Sequence, residues 1–202
     1  MRMMRTPRFV RFGLAPAILA AMVVSGCGKD SSGRLIKPKP VPPEYSIPSS
    51  PAEVLSNLEI AYSQRDSTET KALYDSSYVG TSRDLNDPPG TIPFTFTYSD
   101  EVAHVAKLAS APSITSAYMN LGPPASWTRL ESNDLSHPEW AAIQIAGTSL
   151  NIRVVEGNSE YQISGTSEFF EFMFKPTTPE STSPTDTLWT IVRWNETRAP
   201  GP

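Results

Sequence analysis

The two histidines, His104 and His137, are the first residues to consider for catalysis or metal binding. Neither has a second histidine or a cysteine at the spacing of a metal site. The chain also contains no Gly-x-Ser-x-Gly nucleophile motif and no phosphate-binding glycine loop. Because a histidine seldom acts without a positioned partner, we interpret both as structural residues. We expect no metal ion, no cofactor and no assignable catalytic residue.

Four tyrosines are candidates to line an interior pocket: Tyr62, Tyr78, Tyr118 and Tyr161. In such a position a phenol could bind or polarise a ligand. The alternative is that these residues belong to the core, with the hydroxyl group at its edge.

Cys27 is the only cysteine, and it follows a stretch with the pattern of a secretory signal peptide. Four arginines stand before residue 12, and the 13 residues from 12 to 24 carry no charge. This run is too short to cross a bilayer as a helix, which takes ~20 apolar residues. The small residues Ser25 and Gly26 then precede Cys27, as expected at a cleavage site.

The sequence Val24-Ser25-Gly26-Cys27 resembles the lipobox of bacterial lipoproteins. The resemblance implies cleavage between Gly26 and Cys27, and acyl chains such as palmitate on Cys27. Two or three acyl chains anchor a protein firmly, at ~0.8 kcal/mol per buried methylene group. The resemblance further implies a lipid-anchored protein of the cell membrane, and of the periplasmic face of the outer membrane in a Gram-negative source, since Gly28 replaces the aspartate that favours inner-membrane retention. The alternative is an ordinary signal peptide with a chance cysteine.

Loss of residues 1–26 would make the chain strongly acidic. Four of its 17 basic residues would leave with the signal peptide, so 13 would remain against 21 acidic ones, a net charge of −8. The charges are scattered, without the basic patch that nucleic-acid binding requires. We therefore expect no nucleic-acid partner. Because the only cysteine would carry the lipid, the mature chain would also contain no free thiol that could form a disulfide.

Composition divides the mature chain into three parts. Residues 27–49 contain five prolines between 38 and 48, and they predict a flexible tether in extended polyproline conformation, at ~3.1 Å per residue. Residues 50–197 predict one domain, and residues 198–202 a disordered tail.

The domain opens with three predicted helices. The first starts at the capping box Ser50-Pro51-Ala52-Glu53, and the second starts where Asp66 and Glu69 repeat this pattern and runs to Tyr74. The third is predicted from Asp100 to Leu108 with Ser99 as its cap, and with Val102, Val105 and Leu108 on its buried side.

Strands follow, at 78–82, 114–121 and through most of the chain after 143. The apolar alternation changes parity at Gly147 and again at Gly165. A change of parity at a glycine indicates a β-bulge or a sharp bend. The pattern therefore predicts an α+β fold with N-terminal helices packed on a strongly bent antiparallel sheet.

The last two strands predict an interface. A hairpin pairing Phe174 with Leu188 would place four large apolar residues on the face away from the helices: Phe169, Met173, Trp189 and Ile191. An exposed apolar patch of this kind usually marks an interaction site. We expect a homodimer or an envelope protein partner there. The alternative is that Arg193 stacks on Phe169 and loops cover the rest.

Between residues 50 and 196 the chain resembles the nuclear-transport-factor-2-like fold, also called SnoaL-like or cystatin-like, an α+β cone. The stretch 51–66 looks like its first helix, 73–79 like its second helix entering the first strand, and 189–194 like its last strand. The resemblance implies a cone interior in which enzymes of this fold hold acid and base groups. No active-site motif of those enzymes matches this chain.

Three functions are compatible with these observations. The first is a lipid-anchored envelope protein whose non-catalytic cone binds a small molecule or a protein. The second is an enzyme that transfers protons on an apolar substrate inside the cone. The third is a purely structural envelope lipoprotein, for which the cone would be filled.

Replacement of the lipidation residue tests the anchor. Cys27→Ser should leave an unprocessed or mislocalised precursor, because serine offers no sulfur for the diacylglycerol. Membrane fractionation followed by immunoblotting measures both size and location. A serine variant that still fractionates with membranes at the mature size would contradict the prediction.

Overall fold

The computed structural model describes residues 42–164, 167–177 and 187–198. Cys27, the signal peptide, most of the predicted tether and the tail after Arg198 lie outside these residues. The helices are α1 (Pro51–Gln64), α2 (Ser67–Ala72) and α3 (Tyr98–Ser110). The strands are β1 (Tyr74–Asp84), β2 (Phe94–Thr97), β3 (Ile114–Asn120), β4 (Thr128–Glu131), β5 (Ala141–Ala146), β6 (Asn151–Glu156), β7 (Ser159–Ser164), β8 (Ser167–Thr177) and β9 (Leu188–Arg198).

The predicted fold class, helices on a strongly bent sheet, is confirmed. Six strands form one sheet in the order β2-β1-β9-β8-β5-β4, and three form a second in the order β3-β6-β7. One pair, β1 with β9, is parallel, so the sheet is mixed rather than antiparallel throughout. No helix in the described part of the chain is long and apolar enough to cross a bilayer.

The bend lies where the parity of the apolar pattern changes. β5 pairs with β8 in the large sheet, and β6 pairs with β7 in the small one. A 3₁₀ turn, Gly147–Ser149, joins β5 to β6 at the first predicted change of parity, whereas the second, at Gly165, lies outside the described residues. One long hairpin is therefore folded across both sheets, which realises the predicted sharp bend.

Local signals predicted two of the three helix starts. Ser50 caps α1 by accepting a hydrogen bond from the amide of Glu53, and Asp66 caps α2. The third start was predicted two residues late, because Thr97 and not Ser99 is the cap of α3. The backbone amide and the hydroxyl group of Thr97 both donate to the Asp100 carboxylate, at 2.8 Å each.

Three strand predictions differ from the structure. β1 begins at Tyr74, where the sequence predicted the end of a helix. The strands β2 and β4 were not predicted, since each has four residues and mostly exposed side chains. Periodicity over so few residues gives no clear signal.

The predicted register of the last hairpin is wrong. Phe174 pairs with Ile191 and Met173 with Arg193, so that Val192 is an extra residue in a bulge. The shift reverses the faces of the residues of β9 up to the bulge, because side chains alternate along a strand. Ile191 now lies on the helix side with Phe174, whereas Val192 lies on the outer side with Met173.

The four residues predicted as an interface consequently do not form one exposed patch. Ile191 is fully buried in the main core, and Trp189 packs against that core. Met173 is buried beneath Trp140, and Phe169 is half-buried. A homodimer or a protein partner stays a prediction, without these residues as its contact surface.

The last residues of the predicted tether are bonded to the domain. The backbone of Ser46 exchanges two hydrogen bonds with the side chain of Asn57, at 3.0 and 2.6 Å. Tyr45 donates to Asp66, and the carbonyl of Pro48 accepts from the amide of Trp189. These bonds join the segment before α1 to α1, α2 and β9.

Arg65 connects the ends of two helices. It adopts the left-handed conformation that ends α1, with φ of 58°. Its guanidinium group donates to four carbonyl oxygens at 2.6–3.2 Å, those of Leu108, Ala109, Ala111 and Ile114. The last carbonyls of a helix have no intrahelical partner, so this one side chain satisfies the end of α3.

Substitution of Arg65 tests this connection. Arg65→Lys should lower the free energy of unfolding by about 2 kcal/mol, because an ammonium group cannot reach all four carbonyls and leaves some of them without a partner. Urea denaturation measures the change. Arg83→Lys is the matched control, since Arg83 is exposed and hydrogen-bonded to no other described side chain. Equal effects of the two substitutions would contradict the role of Arg65.

Candidate functional site: the cavity between α3 and the bent sheet

A cavity of about 950 Å³ opens between α3, the β2-β1-β9-β8 part of the large sheet and β6 of the small sheet. The bend of the long hairpin brings β6 over this end of the large sheet. The lining residues come from α1, β1, the loop after β1, β2, α3, β6, β8 and β9: Tyr62, Ser82, Asp84, Asp87, Ile92, Pro93, Phe94, Thr95, Phe96, Asp100, Glu101, His104, Ile152, Phe170, Trp194, Glu196 and Arg198.

Aromatic side chains form much of the wall. Phe96 lies directly over Gly80 of the neighbouring strand, where a Cβ atom would come within 2.1 Å of its ring. Gly80 therefore makes room for this ring. Trp194 lies on β9, on the other side of β1 from Phe96, and it packs on Phe172 with ring centroids 4.8 Å apart.

The mouth of the cavity is apolar as well. Ile92 and Phe94 line it and are 86% and 71% exposed, and Leu85 in the same loop is also exposed. Large apolar side chains at such exposure are unfavourable in water unless something covers them.

A buried carboxylate and a histidine share the cavity. Glu101 is only 7% exposed, and His104 lies one helical turn further along α3. The Nδ1 atom of His104 is 3.7 Å from Oε1 of Glu101, an ion-pair distance. Among the described residues Glu101 has no closer polar partner. A charge that is buried with so little compensation is costly.

Glu101 changes the acid–base properties of its neighbours. Its contact with the imidazole, followed by its charge, raises the pKa of His104 against the opposite effects of partial burial and of Lys107. Burial, with a smaller contribution from Glu101, raises the pKa of Tyr62 to about 12. His104 is thereby favoured as a cation and Tyr62 as a neutral phenol.

Two further phenols lie behind the site. Burial chiefly, and the Glu101 charge next, raise the pKa values of Tyr74 and Tyr78 well above the usual range. Their rings meet edge to face at 4.7 Å. Neither hydroxyl group has a hydrogen-bond partner among the described residues, which is unusual for buried polar atoms.

The four tyrosines predicted to line a pocket divide into two pairs. Tyr62 lines the cavity, and Tyr78 is buried behind it against Phe96. Tyr118 is 44% exposed on the outer face of the small sheet. Tyr161 lies on the inner face by register, but it is 59% exposed on the edge strand β7 and does not line the cavity.

The sequence interpretation missed Glu101 and the partnership of His104 with it. Val102 was expected on the buried side of α3, but Glu101, Val105 and Leu108 are the buried residues. Their spacing of four and three is that of one helix face. A glutamate on that face of an otherwise apolar stripe is a sequence signal for this site.

His137 lies elsewhere, outside the lining of the cavity. Its ring stacks on that of Trp140, with centroids 4.1 Å apart, and the guanidinium carbon of Arg193 is 5.2 Å from the Trp140 ring. This cluster covers Met173 from the outer side. Within the described residues no group of three or more His, Cys, Asp or Glu side chains could hold a metal ion.

Neither a model of a known protein family nor a curated protein sequence matches this chain. Several solved structures are similar to it. A conserved protein from Planctomyces limnophilus is 15% identical, with a TM-score of 0.45 over 71% of this chain and 89% of that one. An NTF2-like protein from Cytophaga hutchinsonii is 13% identical, with a TM-score of 0.42 over 72% and 93%. ActVI-ORFA from Streptomyces coelicolor is 9% identical, with a TM-score of 0.41 over 72% and 91%.

Titration of His104 tests the pair that it forms with Glu101. We expect its pKa to lie above the ordinary 6.5, so the stabilisation from this pair is present below pH 6.5 and is lost as the pH rises through the raised value. NMR of the imidazole protons against pH measures this, and the His137→Gln variant identifies the resonance of His104.

Glu101→Gln should lower the pKa of His104, because it removes the carboxylate and keeps the size of the side chain. A His104 titration that does not respond to this substitution would contradict the pairing.

Proposed function

We propose that the domain binds a small molecule with an apolar body and one polar or charged end. The observation that carries this proposal is the cavity of about 950 Å³, whose lining combines aromatic and aliphatic side chains with the buried carboxylate of Glu101 and other polar groups. Ligand sites of ~300–1,000 Å³ commonly combine hydrophobic and aromatic side chains with polar groups that orient the ligand. A purely structural protein would be expected to fill this space with its own side chains, since unfilled volume forfeits packing contacts.

The mouth and the wall suit a ligand that enters with its polar end first. Glu101 and Tyr62 are buried, whereas Ile92 and Phe94 are exposed at the rim. A ligand whose polar group reaches Glu101 would leave its apolar body against Phe96 and Trp194, and it would cover the rim. Both the buried charge and the exposed apolar side chains would then gain partners.

We also propose that lipids on Cys27 hold this domain at a membrane. The proposal is supported by the lipobox pattern and by the proline-rich residues that follow it. Such a location would place the cavity close to a source of apolar molecules.

Binding of a neutral apolar probe tests the cavity. The protein for this test is the mature chain from residue 27 with Cys27→Ser, so that no lipid is attached. This chain keeps all described helices and strands, because they lie between Pro51 and Arg198. N-phenyl-naphthylamine should become fluorescent on binding, with one probe per chain. Thr95→Trp should weaken its affinity about tenfold or more, because Thr95 lines the cavity and the indole would occupy it.

Thr115→Trp is the matched control. Thr115 is likewise an exposed threonine of an edge strand, and it is not part of the lining. Absence of probe binding, or equal affinity in Thr95→Trp and Thr115→Trp, would contradict the proposed function.

A second candidate function, proton transfer on a bound substrate, is favoured by the imidazole and the carboxylate that lie 3.7 Å apart on the wall of the cavity. A titratable histidine oriented by a carboxylate is a common acid–base pair. The titration of His104 described above bears on this candidate, because an imidazole that does not respond to Glu101→Gln is not oriented by that carboxylate.

A further inference from the structure

The charges around the cavity are unequal. Among the described residues, five carboxylates line it, those of Asp84, Asp87, Asp100, Glu101 and Glu196, whereas Arg198 is the only arginine or lysine. The Nε atom of Arg198 is 3.1 Å from Oε1 of Glu196, so these two charges largely offset each other.

Four carboxylates remain after that pairing. Within the described part of the chain, Asp84 and Asp100 accept hydrogen bonds from neutral groups alone, in the turn after β1 and at the start of α3. Asp87 is exposed in the loop at the mouth. His104, even when protonated, supplies one positive charge, and the cavity therefore stays negative.

The position of Glu101 makes this imbalance significant. Exposed carboxylates are well solvated, but a buried one loses its hydration and needs a cation or hydrogen-bond donors in exchange. The imidazole at 3.7 Å is half-exposed, so it offsets the buried charge only in part. Glu101 itself lines the cavity, from which a ligand can reach it.

The wall offers a second form of attraction for positive charge. The faces of aromatic rings carry negative partial charge and attract cations, tryptophan most strongly. Trp194, Phe96, Phe94 and Phe170 all line the cavity, and the ring of Tyr62 adjoins His104, with centroids 6.3 Å apart. An apolar cation would thus meet a carboxylate and aromatic faces in one space.

We infer that the ligand of this cavity is an amphipathic organic cation, an amine or quaternary ammonium group on an apolar body, with the cationic nitrogen at Glu101. The inference rests on the proposed function and adds to it the charge of the ligand. An organic anion of the same size is excluded by the same carboxylates, since like charges repel strongly where water is displaced.

Three probes with the same ring and different charge test the inference. Naphthylmethylamine is a cation at neutral pH, naphthalenemethanol is neutral and naphthoate is an anion. Each is titrated against bound N-phenyl-naphthylamine on the lipid-free mature chain. The amine should bind about tenfold more tightly than the alcohol, and naphthoate should be the weakest.

Glu101→Gln should reduce the preference for the amine over the alcohol to about threefold or less, and an unchanged far-UV circular dichroism spectrum shows that the variant is still folded. Asp87→Asn is the second variant, because Asp87 is exposed and its substitution does not disturb the core. It should reduce the preference by a smaller factor.

Equal binding of the three probes would overturn the inference and leave the proposed function standing. An unchanged preference for the amine in both variants would overturn it too, because the attraction would not come from these carboxylates. If N-phenyl-naphthylamine itself does not bind, the proposed function fails together with the inference.

Discussion

The cavity depends on the hydrogen bonds of one side chain, Arg65. Its guanidinium group binds the carbonyls of Leu108, Ala109 and Ala111 at the end of α3, while its own backbone ends α1. α3 rests on α1 and α2 through this connection, and α3 carries Glu101. A lysine would supply the charge but not the planar fork of donors. Arginine at this corner therefore fixes the orientation of the helix that forms one wall of the site.

The opposite walls depend on two glycines that act differently. At Gly147 the long hairpin leaves the large sheet, so that β6 comes to lie over the end of the cavity. At Gly80 the absent side chain admits the ring of Phe96 against β1. The result is space enclosed by aromatic groups and not filled by them. Protein interiors are otherwise close-packed, and this is the space that the proposed ligand would occupy.

Edge protection explains another part of the fold. β3 is an edge strand of the small sheet, and two side chains of α1 accept hydrogen bonds from backbone amides, one in β3 and one directly after it. Ser63 accepts from Met119 and Glu59 accepts from Leu121. The helix thus pairs with the strand through its side chains as well as by packing. Unpaired edges otherwise invite association with other chains.

The sequence by itself determined the features that depend on neighbouring residues. The caps at Ser50 and Asp66 and the bend at Gly147 follow from short-range hydrogen bonds and backbone freedom, and each was predicted in place. Tertiary structure alone decided the register of β8 on β9. The bulge at Val192 exchanges the faces of the residues of β9 up to it, and which face is buried depends on the helices that cover it. It likewise decided that a cavity adjoins Glu101, because the space beside a helix is set by the elements around it and not by the helix's own sequence.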